Sequence, residues 1–116
     1  MRVAVLSDIH SNAPALEAAL EAVGGFDQLW VLGDIVGYGP HPNEVVERLR
    51  GVQAVAVQGN HDAAVLGRIS TGTVNDLARA AVEWTAETMK PENPDWLAEQ
   101  PDTRVEGDFT LAHGSP

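Results

Sequence analysis

The sequence predicts a single α/β domain built on a mainly parallel sheet, and three observations predict it. Short apolar runs rich in Val recur along the chain, at Arg2 to Leu6, Leu29 to Leu32 and Ala54 to Val57. Segments with helical spacing separate or follow them. Polar residues able to bind metal stand directly after each run. Alternating strands and helices require crossover connections, so the strands run parallel with helices packed on the faces of the sheet. In such sheets the chemistry collects beyond the carboxyl ends of the strands.

The run from Arg2 to Leu6 has no polar alternation, which suits a strand covered on both faces. Asn12 then caps a helix and Pro14 suits its first turn. Leu16, Ala19, Leu20 and Val23 fall at i, i+3, i+4 and i+7 before Gly24 and Gly25 end it. Leu29 to Leu32 is the second buried run. A helix from about Pro42 follows, with Val45, Val46 and Leu49 on one face and Gly51 after it. Ala54 to Val57 leads into Gly59, and a longer helix spans about Asn75 to Met89, where Ala78, Val82, Thr85 and Met89 keep helical spacing and Pro91 and Pro94 stop it. Arg104 to Glu106 and Phe109 to His113 read as two strands around a Gly107-Asp108 turn.

Composition narrows the function classes. The chain has 116 residues, a formal charge of −10, and 44% hydrophobic against 21% charged residues, so a disordered or fibrous reading fails. That charge disfavours nucleic acid as a partner. The longest stretch without Asp, Glu, Lys or Arg, residues 51 to 61, falls well short of a membrane span of about 20 residues. Asp8 and His10 interrupt the N-terminus where a secretory leader would be apolar, so a cytoplasmic protein is expected. With no cysteine, the available metal ligands are His, Asp, Glu and Asn.

Those ligands cluster at the strand ends: Asp8 and His10, then Gly33 and Asp34, then Gly59, Asn60, His61 and Asp62, and finally His113 and Gly114. Asp8, Asp34 and Asn60 are spaced 26 residues apart, as when one βα unit separates successive contributions. Oxygen and imidazole donors of this mixture suit divalent Mn, Fe, Co, Ni or Zn, with a carboxylate able to bridge two ions. Each motif alone has a bland explanation in caps and polar loops, but four together, all at strand ends, point to a metal site. Tyr38 and His41 follow Asp34 in a Gly- and Pro-rich loop that either lines a substrate pocket or is simply a turn. Trp84 and Trp96 read as packing residues, and Glu17, Glu21, Glu44 and Glu47 as solvated helix faces. Asp62 either orients His61 or opens the next helix as an acidic first-turn residue.

Asp8-Ile9-His10, Gly33-Asp34, Gly59-Asn60-His61-Asp62 and His113-Gly114 together resemble the motifs of the calcineurin-like metallophosphoesterase superfamily. Gly33 to Pro40 and the ending Ala112 to Pro116 are similar to its small prokaryotic members. The resemblance implies a layered α/β/β/α sandwich, of which this chain supplies the N-terminal βαβαβα part and a following β-hairpin. It implies two divalent ions: Asp8 and His10 bind one, Asp34 bridges, and Asn60 and His113 bind the second, with His61 near the leaving group as the catalytic acid. The implied reaction is hydrolysis of a phosphomonoester or phosphodiester, nucleotides among them, by metal-activated hydroxide on a small phosphate-ester substrate; a homo-oligomer is compatible with the sequence. Two departures qualify it. The protein phosphatases of the superfamily carry Asp and Arg where Gly37 and Tyr38 stand here, which disfavours a phosphoprotein substrate. The family's G-H-x-H motif does not occur before Pro116, so residues 1 to 116 resemble one metallophosphoesterase domain truncated at its C-terminus, with a ligand of each ion outside it. The alternative is a scaffold or regulatory module of the same fold without productive catalysis.

Overall fold

The computed structural model describes residues 1–70 and 75–114. In chain order the elements are β1 (Val3–Leu6), α1 (Ala13–Val23), β2 (Gln28–Val31), α2 (Pro42–Gly51), β3 (Val55–Ala56), α3 (Asn60–Val65), α4 (Asp76–Thr88), α5 (Glu92–Glu99), β4 (Thr103–Glu106) and β5 (Phe109–Ala112). β1, β2 and β3 form a parallel sheet in that order, with Val3 beside Gln28 and Trp30 beside Val55. β4 and β5 pair antiparallel as a separate two-stranded sheet, Glu106 opposite Phe109 across the Gly107-Asp108 turn.

Alternation along the strands assigns two different faces. Ala4, Leu29, Val31 and Ala56 join the main core with Leu16 and Leu20 of α1, Val45, Val46 and Leu49 of α2, Val82 of α4 and Leu97 of α5. Trp30 and Val57 point the other way and meet Leu111 of β5, with Val3, Leu32 and Val55 packed around them. The Trp30 and Phe109 rings meet edge on at 5.6 Å.

Among the described residues the helices cover one face of the parallel sheet and the hairpin meets the other. The strand order explains it, because β1, β2 and β3 advance in one direction, and right-handed crossovers that advance one way leave their helices on one side. Helix against sheet against hairpin is the start of the layered sandwich.

The caps act as expected where the side chain is right. Asn12 Oδ1 accepts from the Ala15 N–H at 3.1 Å, and Asn75 Oδ1 accepts from the Ala78 N–H at 2.8 Å. Two helices were not expected. α3 occupies Asn60 to Val65, so the segment carrying the third motif is itself helical. α5 begins at Glu92, with Pro94 in its first turn, where a missing N–H costs nothing; Pro94 therefore starts a helix instead of only ending one. His113 lies one residue beyond β5. Ser115 and Pro116, part of the ending compared above, lie outside the described residues.

Candidate metal centre

Three loops leave the carboxyl ends of β1, β2 and β3 side by side, and backbone hydrogen bonds knit them together. The Asp8 N–H donates to the Gly33 carbonyl at 3.0 Å, His10 to Asp34 at 2.9 Å and Ser11 to Ile35 at 2.9 Å. Gly39 returns to the His10 carbonyl and His41 to that of Ser11. The tight course puts Asp8, His10, Ser11, Asp34 and Tyr38 at positive φ, between +49° and +60°, a region costing about 1 kcal/mol or more for each residue with a side chain. Two glycines are required by proximity. A Cβ on Gly59 would collide with the backbone nitrogen and carboxylate of Asp34, and one on Gly33 would stand 2.7 Å from the Gly59 nitrogen.

A pair of carboxylates locks the second loop to the third. Asp34 Oδ1 accepts from the His61 N–H at 3.0 Å. In the opposite direction, fully buried Asp62 accepts through Oδ1 from the Ile35 and Val36 N–H groups, at 2.9 and 3.0 Å, and through Oδ2 from Gly59 at 2.9 Å. Burial pushes the Asp62 carboxyl up to about 6, although the three N–H donors favour its charged form. Asp62 thus does open α3 as a first-turn acid, and its carboxylate grips the backbone beside Asp34. It was not singled out in that role from the sequence; the signal available was an acid three residues after Gly59, the spacing of a capping box.

Asp34 is the hub of the side chains. Its Oδ2 lies 3.2 Å from His61 Nδ1, 3.2 Å from His113 Nε2 and 3.6 Å from His10 Nε2. Asp8 Oδ1 lies 3.5 Å from the same His10 nitrogen. The Ser7 hydroxyl donates to Asp8 at 2.5 Å and holds its carboxyl below the ordinary range, against partial desolvation and with help from His113 and His10. Two sets of donors come within 4.8 Å of one another: His10, Asp34 and His61, and Asp8, Asp34 and His113. Asp34 belongs to both. Asn60 is exposed at the start of α3 and lines a cleft with Gly59 and His113.

The donor chemistry fits divalent cations. His113 Nδ1 donates to the Leu32 carbonyl at 2.8 Å, so in the neutral ring Nε2 is the lone-pair nitrogen facing the Asp34 oxygen. A lone pair and a carboxylate oxygen at that distance repel unless a proton or a cation joins them. His10 Nδ1 is buried and has no hydrogen-bond partner among the described residues. Sequence reasoning named Asp8, His10, Asp34, His61 and His113, which the fold gathers around one carboxylate, and Asn60, which sits at the rim. It did not name Ser11, wholly buried in the same loop at positive φ.

The family model described as calcineurin-like phosphoesterase matches residues 1–116. An uncharacterised protein of Methanocaldococcus jannaschii is 45% identical over 101 residues, covering 85% of this chain and 42% of that protein. A symmetrical bis(5′-nucleosyl)-tetraphosphatase of Vibrio campbellii is 32% identical over 120 residues, covering 97% of this chain and 44% of that enzyme. The crystal structure of a metallophosphoesterase from Sphaerobacter thermophilus superposes with a TM-score of 0.86 at 45% identity, over all of this chain and 48% of that one. The chain therefore spans less than half the length of these relatives. With its motifs converging on Asp34 and the family model matched from end to end, the chain belongs to the calcineurin-like phosphoesterase family.

Proposed function

We propose that these residues carry most of the metal-binding half of a binuclear phosphoesterase that hydrolyses a small phosphate ester of the nucleotide class. The observation that carries the reading is the meeting of three imidazole nitrogens on one oxygen of buried Asp34. Asp8, His10 and Asp34 would hold one divalent ion, manganese being our choice, and Asp34, Asn60 and His113 the second. Bound there, the ions supply an acidified water and neutralise charge gathering on the phosphoryl oxygens. The nucleotide class is suggested by the tetraphosphatase relatives. A cytoplasmic location belongs to this reading, resting on the charged and polar residues Asp8 and His10 near the N-terminus, and no helix among the described residues is long and apolar enough to cross a membrane.

The chain's own residues divide the remaining work. Asp62 fixes the loop that presents Asp34. His61 has Nδ1 against Asp34 Oδ2, which leaves Nε2 as the ring nitrogen able to give a proton to the departing oxygen. The test uses protein expressed from its complete coding sequence and loaded with Mn²⁺. It measures kcat/KM along a series of leaving groups, with metal content determined in each sample. His61→Ala should cost little with a nitrophenolate, which departs unprotonated, and roughly 10² fold or more with an alkyl or ribosyl alkoxide. An equal loss for both, accompanied by lost metal, makes His61 a ligand. No turnover by metal-loaded wild type would favour a scaffold of the same fold.

A further inference from the structure

α4 carries two apolar stripes. Ala78, Val82 and Thr85 are buried, as the sequence pattern predicts. Leu77, Ala80, Ala81 and Trp84 form a second stripe at i, i+3, i+4 and i+7, and it is not in the core: Leu77 is 78% exposed and Trp84 45%. Trp84 is therefore not the packing residue its sequence context suggests.

This stripe meets the loop that follows Asp34. With Tyr38 and Pro40 it lines a cleft of about 290 Å³, and no residue lining that cleft is charged. Tyr38 is held at φ +60° and half-exposed, its ring 4.7 Å from that of His61 and 5.2 Å from that of His10. Strain at a solvated aromatic residue calls for a function that uses the ring's position. Tyr38 therefore joins the cleft to the imidazoles beside Asp34, lining the one and touching the other. The cleft's volume is at the small end of ligand pockets, about 300 to 1,000 Å³, enough for one ring system and too little for a packed helix. Two aromatic faces without a charge suit a flat, neutral ring.

We propose that the Tyr38–Trp84 cleft is a leaving-group subsite that takes the nucleobase of a nucleotide ester, with both rings as stacking surfaces. The proposal rests on reading the metal centre as that of a phosphoesterase. Adenosine 5′-monophosphate and ribose 5-phosphate share the alkoxide and the phosphate and differ by the base, so together they isolate the cleft. Calorimetric titration of the complete, Mn²⁺-loaded protein should give at least tenfold tighter binding of the nucleotide. Tyr38→Ala and Trp84→Ala should each bring that ratio towards one, and Trp84→Phe should keep most of it. A ratio near one in wild type, or a ratio unchanged in the alanine variants, overturns the proposal. So does a Trp84→Ala variant that turns a dimer into a monomer in sedimentation velocity while the ratio stays high, since the stripe is then an interface between copies. Hydrolysis of bis(p-nitrophenyl) phosphate by the same samples tests the phosphoesterase reading separately. If that activity is absent and the base preference persists, the subsite stands and the reaction falls.

Discussion

The loops after β1, β2 and β3 and the β4–β5 hairpin both deliver residues to the candidate centre, but they are secured by different means. The loops hold five residues other than glycine at positive φ, and backbone bonds, two buried carboxylates and glycines that admit no side chain fix their course. The hairpin is unstrained and lightly tethered. Leu111 is buried against Trp30 and Val57, the Arg104 guanidinium donates to the Ala56 carbonyl at 3.2 Å, and His113 donates to that of Leu32, while Val105 and Phe109 stay largely exposed. Asp34, the proposed bridging ligand, sits on the rigid part. His113, the proposed ligand of a single ion, rides on an element held by fewer contacts.

The strongest way to break the contrast is Gly59→Ala. The added methyl meets the Asp34 nitrogen and carboxylate, so the loops must separate, and overpacking of this kind costs about 3 kcal/mol. Urea denaturation should show the loss, and elemental analysis after dialysis should show both ions gone. Retained stability with full metal content would mean that the loops are less rigid than their bonds imply.

A milder change sharpens the comparison from the other side. Phe109→Ala removes the edge contact with Trp30 and should cost about 1 kcal/mol. Hydrogen exchange should speed up across residues 103–112 and remain unchanged in α1 and α2. Uniform acceleration would make the hairpin an integral part of the main core.

The smallest expected effect lies away from both regions and serves as their control. Glu47 accepts from Asn93 at 3.0 Å, and this bond, with Lys90 nearby, lowers its pKa below the ordinary value. A lowered folded pKa means that the carboxylate stabilises the fold above the unfolded value and that this contribution fades as pH falls through the folded one. Glu47→Gln should slightly flatten the decline of Tm below pH 4.5, the carboxyl's ordinary value, and leave metal content untouched. A change in bound metal would show that α2 reaches the centre.

What was legible in the sequence follows the same division. Asp8, Asp34 and His113 stand out because ligand-type residues end apolar runs, and β1, α1, β2 and α2 because periodicity and caps agree over full elements. α3 was hidden because six residues are too short to display a period and the motif they carry reads as a loop. α5 was hidden because Pro94 looks like a terminator when its position in the turn is unknown. The one-sided placement of the helices depends on strand order, which hydrophobic spacing does not encode. Trp84 was misread because a second apolar stripe at helical spacing looks the same whether it meets the core or a cleft.

The grip of Asp62 on Ile35 and Val36 spans 26 and 27 residues of chain. Those partners meet only when the crossover through α2 has set β3 beside β2, so the donors on the second and third loops cannot converge before that unit has closed. At the proposed site, metal capture would therefore report finished assembly of that unit.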